Sequence, residues 1–138
     1  MAVTHQPIFI QAFNLSSAAF TNADSANTKK TVFTFGANGS KCIMINATST
    51  DTVNRVAQVW RTNGGTSWLL CSSTVVAGAG NDGTTASADL LQTMVPVPFD
   101  SDGQQYIGGI SGDTLQVSFT TQVASGKEID VTALGGDL

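Results

Sequence analysis

Several segments of this chain alternate with a period of two, the spacing of side chains on a β-strand. Residues 7–13 (PIFIQAF) predict a first strand. Residues 14–30 are polar and aperiodic, hold one isolated aromatic, Phe20, and read as a long loop or arm. Residues 31–35 (TVFTF) form a short strand, and GANGS supplies the turn after it, because Asn-Gly tolerates positive φ. Residues 41–49 predict a strand with Ile43, Ile45 and Ala47 on one face and Cys42, Met44 and Asn46 on the other. Over residues 52–62, Val56, Gln58, Trp60 and Thr62 share a face opposite Arg55, Ala57, Val59 and Arg61. Asn63-Gly64-Gly65 then closes a hairpin. The return strand, 66–77, puts Trp68 and Leu70 on one face and Leu69 and Cys71 on the other. Both of its faces are apolar in the first half. That is the pattern of a sandwich strand covered from outside by a loop or a neighbouring subunit, so Trp68, Leu69 and Cys71 are the candidate subunit interface.

Beyond the hairpin, residues 78–85 (GAGNDGTT) are a loop. Residues 87–94 offer an N-cap Ser, an Asp in the first turn and apolar Leu90, Leu91 and Met94, which predicts one short helix. Residues 95–99 (VPVPF) exclude a central strand, since two prolines remove ladder donors. A turn over 100–103 precedes three last strands at 104–110, 113–121 and 127–134. About eight short strands with Gly/Asn/Asp punctuation predict an all-β jelly roll or β-sandwich. The expected layout is one domain, with an N-terminal strand and arm over 1–30 and the sandwich core over 31–138.

Composition sharpens this picture. A chain of 138 residues is long enough for one real core. A hydrophobic share of 41% excludes a disordered chain, and 14 Gly sit at the punctuation points. Charged residues make up only 12%, against about 25% in an average soluble domain. A net charge of −4 lacks the basic footprint of a nucleic-acid binder. The charges are unevenly spread: the cations gather in the stretch ending at Arg61, and most acids follow it. No run approaches the ~18 apolar residues of a membrane span, and residues 1–13 do not read as a secretory signal, so synthesis in a cytoplasm is expected. Cys42 and Cys71 then read as buried or interface thiols.

The search for chemistry assigns no catalytic, cofactor-binding or metal residue. A Ser-His-Asp or Cys-His constellation would have to recruit His5, the one histidine, which also leaves a four-ligand metal site short of donors. Glu128 and Asp130 share a solvated strand face. Asp100, Asp102 and Gly103 open like a calcium loop but lack the later ligands, and a turn explains them. No phosphate-binding loop or dinucleotide fingerprint is present. Trp60, Trp68 and Tyr106 fit either a sugar-stacking platform or ordinary core positions.

In order along the chain, SSAAFTNADSANTKKTVFTFGANGSKCIMINATSTDTVNRVAQVW, GGTSWLL, VVAGAGNDGTT, ADLL, DSDGQQYI, SGDTLQVSF and ASGKEIDVTALGGD resemble a family of tailed-bacteriophage structural proteins, the jelly-roll capsid decoration (cement) proteins. The resemblance implies a non-enzymatic homotrimer on the outer capsid surface of the virion, bridging major capsid protein subunits, with no nucleic-acid or membrane partner. Phage tail and receptor-binding proteins use similar β modules, so a domain that recognises host glycans is the alternative. For the capsid contact, Phe9, Phe13 and Phe20 offer apolar anchors and Lys29 and Lys30 positive charge beside them. Phe9 and Phe13 serve equally as core residues of a first strand.

Overall fold

The computed structural model describes residues 10–92, 94, 98, 99 and 103–138. Phe9, His5, Asp100 and Asp102 lie outside them. Among the described residues there are nine strands: β1 (Ala12–Thr21), β2 (Lys30–Thr34), β3 (Ser40–Ser49), β4 (Arg55–Asn63), β5 (Thr66–Val75), β6 (Ala88–Asp89), β7 (Ile107–Gly109), β8 (Asp113–Phe119) and β9 (Glu128–Asp137).

Their pairing is nested around the expected hairpin. Asn63 faces Thr66 across Gly64 and Gly65, whose φ angles of 56° and 83° are the pair that a two-residue type I′ turn demands. From this apex outward, β4 pairs with β5, β3 with β6, β2 with β8 and β1 with β9, all antiparallel. The result is one long double ribbon. Wrapped on itself, it brings β9 against β3 and β8 against β4. One sheet therefore runs β1-β9-β3-β6, with β7 also on β3, and the other β2-β8-β4-β5. That winding is a jelly roll, and no helix occurs among the described residues. The core lies between the sheets, with Phe33, Ile45, Val59, Leu115, Val117, Ile129 and Val131 fully buried.

Three local expectations fail for physical reasons. The first strand is Ala12–Thr21, so an arm over 14–30 does not exist in that form. Its inward side chains at positions 14 and 16 are polar, which hides the strand from a hydrophobic pattern. They are satisfied across the sandwich, Asn14 Nδ2 donating to the Thr34 carbonyl at 3.3 Å and Ser16 Oγ to the Val32 carbonyl. In β3 a bulge between Cys42 and Met44 shifts the alternation, so Cys42 joins Ile45 and Ala47 inside while Ile43 is only half-buried.

Where a helix over 87–94 was expected, the described residues of that span form a two-residue strand and a turn. Ala88 and Asp89 pair with Ala47 and Asn46, and Leu90 N donates to the Ile45 carbonyl at 2.8 Å. Asp89, rather than Ser87, does the capping: its Oδ1 accepts from Leu91 N at 3.0 Å and Gln92 N at 3.2 Å. Leu90, Leu91 and Met94 are buried as expected, but from a turn that dips into the core.

Phe20 is the largest reassignment. Only 2% exposed, it stands edge-on to Phe119 with ring centroids 4.9 Å apart. Phe20→Ala is expected to lower unfolding free energy by about 3–5 kcal/mol, the usual range for a buried aromatic. Urea denaturation checks this; an unchanged midpoint would place the ring outside the core.

Candidate functional site

The fold uses several of its carboxylates as clasps. Asp51 accepts from Arg55 Nε at 2.8 Å, Val53 N at 3.1 Å and Ala124 N at 3.1 Å, tying the β3–β4 loop to the β8–β9 loop. Asp113 accepts from Asn63 Nδ2 at 2.6 Å, from Ile110 N at 3.1 Å and from Arg61 Nη2. The Asn63 hydrogen bond first, and then Arg61, hold its pKa below the usual carboxylate value against the opposing effect of burial. Asp82 accepts from Thr85 Oγ1 at 2.6 Å and from the Thr85 and Thr84 amides, which pins its loop and lowers its pKa. Asp137 accepts from Ser40 Oγ at 2.6 Å, and that hydroxyl accepts from Gly36 N at 2.7 Å. Glu128 and Asp130 face solvent side by side, and the hydrogen bond and charge of Asp130 raise the Glu128 pKa. Burial pushes the Cys42 thiol up to about 12, far from a reactive thiolate. Among the described residues no three His, Cys, Asp or Glu side chains group as a metal site.

The residues expected to touch a capsid do not form one surface. Phe13 is 78% exposed, but Phe20 is core. Lys30 lies 2.8 Å from Asp24 and also donates to the Ala19 carbonyl at 2.6 Å, so its charge is matched locally. Lys29 is exposed, its Nζ 4.0 Å from the centroid of the Trp60 ring. Arg55 and Arg61 pair with Asp51 and Asp113, and Lys41 sits over Tyr106 at 4.7 Å. Each cation up to Arg61 thus has its own partner, and the charge asymmetry of the sequence does not become a basic strip.

Nor do the three candidate sugar-stacking rings meet. Trp60 stands opposite Leu69 on the outer face of its sheet, under Lys29, and donates from Nε1 to Ser118 Oγ at 2.8 Å. Trp68 stands opposite Arg61 and points to the other side. Tyr106 lies under Lys41 of the opposite sheet.

Of the large apolar side chains left exposed, five sit on two edge strands, while Val53, Val56, Val76, Phe99 and Ile110 lie elsewhere. On β5, Trp68 is 53% exposed, Leu69 48% and Leu70 37%. A bulge between Val59 and Trp60 of the β4–β5 ladder lies beside these residues. Cys71, grouped with them in the sequence, is half-buried, faces Val59 and places its Sγ 3.9 Å from the Leu90 carbonyl. On β1, Phe13 and Leu15 project outward, Leu15 being 65% exposed. Leu15 faces Leu134, which faces Met44, so an apolar row crosses three strands. Sequence reasoning missed Leu15 because the strand that carries it was assigned to an arm. Phe13 and Leu15 already have the period of two that would have found it.

No family model matches the sequence, and no curated protein matches it. Among solved structures, the chain is similar to a virus-like particle of extra small virus from the giant freshwater prawn Macrobrachium rosenbergii. The match has 9% identity and covers 99% of this chain and 87% of that one. Its TM-score of 0.32 is too low to carry an argument about fold or role.

Proposed function

We propose that this chain is a non-enzymatic structural protein that associates with itself as a homotrimer and seats on the outer surface of a tailed-bacteriophage head, stabilising the shell. One observation carries the reading: two long edge strands expose Phe13 and Leu15 on β1 and Trp68, Leu69 and Leu70 on β5. Neither strand contains a charged residue. Uncharged edge strands that carry exposed apolar side chains are a liability for a monomer, and protein–protein interfaces are where such surfaces are used. A protein that binds the assembled shell but not its free subunits stabilises the shell by linkage and needs no chemistry of its own. The jelly roll alone names no function, since it hosts capsid proteins, lectins and enzymes alike. The shell enters as partner through the sequence resemblance. Of the expected shell contact, Phe13 and Lys29 remain exposed. A glycan-reading tail domain is less well supported, because Trp60 and Tyr106 have lysines over their rings.

Purified protein added to undecorated heads of the phage that encodes it is expected to co-sediment to saturation and to raise the temperature at which the heads open. Heads that leave the protein in the supernatant, or that open at an unchanged temperature, would overturn the reading.

A further inference from the structure

We infer that copies of this chain join head to tail, the β5 edge of one copy against the β1 edge of the next. This deepens the self-association proposed above and rests on it. The two edges lie on opposite sides of the sandwich. β1 stacks on β2, to whose carbonyls Asn14 and Ser16 donate, and β2 begins the sheet that β5 ends, in the order β2-β8-β4-β5. That puts three strand spacings, ~14 Å, between the β2 and β5 edges.

The edges also match in kind. Each is a ten-residue strand paired on one side only among the described strands. Each therefore offers a row of backbone donors and acceptors to an incoming strand. Neither contains Lys, Pro or any charged residue, which leaves the bulge in the β4–β5 ladder as the one blunting device on either strand. Each carries its own exposed apolar side chains, Phe13 and Leu15 on one, Trp68, Leu69 and Leu70 on the other. A two-fold contact uses one patch twice and leaves the second in water on both copies. A head-to-tail contact engages both edges at once. Ten residues at ~3.3 Å each give a strip ~33 Å long. With two sheets ~10 Å apart and their outward side chains, such a strip covers on the order of 650 Å², near the ~800 Å² per partner of a stable interface.

The test uses two double variants of full-length chain, Trp68→Ser with Leu69→Ser and Phe13→Ser with Leu15→Ser. All four side chains are exposed, so both variants should keep the wild-type circular dichroism spectrum and melting temperature. If either melts early, Ser72→Lys on β5 and Ala19→Lys on β1, at exposed positions, ask the same question with a charge. In sedimentation velocity at micromolar concentration, each variant alone is expected to run as a 14.2 kDa monomer. Mixed in equal amounts, the two should form a one-to-one pair of twice that mass and nothing larger, because each supplies the edge the other has lost. If the Phe13/Leu15 variant still self-associates while the Trp68/Leu69 variant does not, and mixing adds nothing, the contact is two-fold. That outcome overturns the head-to-tail arrangement and leaves self-association standing. If wild-type protein is itself a monomer in the same run, both fail.

Discussion

Gly135→Ala is expected to leave little folded protein. Gly135 is buried in β9, between Asn14 of β1 and Cys42 of β3. A Cβ at this position would run into the Lys41 carbonyl oxygen, stand 2.7 Å from Phe33 Cζ and 2.9 Å from Cys42 Cα. Two of these neighbours are backbone atoms of β3 beside its bulge, so no side-chain rotation relieves the clash. The relief has to come from parting β3 and β9, the two central strands of their sheet. A loss above ~4 kcal/mol is in the diagnostic tail for single substitutions and is a large share of a domain's ~5–15 kcal/mol. Gly108→Ala is the control. There the nearest atom is Tyr106 Cε2 at 3.6 Å, an ordinary contact, and the change should stay within about 1 kcal/mol. Soluble yield and urea midpoints report both. A Gly135→Ala protein with the wild-type midpoint would mean that β9 does not lie against β3 in this register.

Asp51→Ala should cost about 3–5 kcal/mol at neutral pH, the range for removing one partner of a buried ion pair. The side chain is fully buried, while that of Arg55 is 13% exposed. Without the carboxylate, Arg55 loses its countercharge, and the Val53 and Ala124 amides lose their acceptor. The pH dependence follows from the direction of the shift. Burial alone would raise the Asp51 pKa, but the hydrogen bonds from Arg55, Ala124 and Val53 outweigh it and hold the pKa below the ordinary 3.8. A carboxyl whose folded pKa is depressed stabilises the fold above its unfolded pKa, and that stability is lost as pH falls through the folded value. Wild-type protein should therefore lose stability below about pH 4. Asp51→Ala should lose less over that interval, though not nothing, because Asp24 and Asp113 are shifted in the same direction. Urea midpoints at pH 7 and pH 3 give the comparison. Equal losses for both proteins would mean that Asp51 is not ionised and paired in the folded state.

The parts of the fold that were legible in the sequence are those whose cause is local. Asn63-Gly64-Gly65 fixes the hairpin by its own φ requirements, and Ala57 and Val59 declare the inner face of β4 by alternation. β1 was illegible because its pattern is inverted. Asn14 and Ser16 point inward and are satisfied by carbonyls of β2, while Phe13 and Leu15 point out. The bulge in β3 depends on its partner strand. Leu90, Leu91 and Met94 have the spacing of a helical face, and only the pairing of Ala88 and Asp89 with β3 decides against it. The candidate surfaces divide in the same way. Trp68 and Leu69 could be read from an apolar run with no polar face, which also took in Cys71, half-buried opposite Val59. Phe20 was misread as a surface contact because its partner, Phe119, is a tertiary fact, and so is the Asp24 carboxylate that Lys30 pairs with. The last strand was expected to end at Leu134, whereas β9 runs through Gly135 and Gly136 to Asp137, paired with β1 and β3, where neighbouring groups occupy the space that side chains would take.

Cryo-electron microscopy of the native phage head tests the central claim most directly. The account predicts density for an all-β oligomer on the outer surface of the shell, over joints between major capsid subunits, into which the sandwich fits with its β1 and β5 edges turned toward neighbouring copies. Density for this protein confined to the tail, or a head surface that carries none of it, would contradict the account.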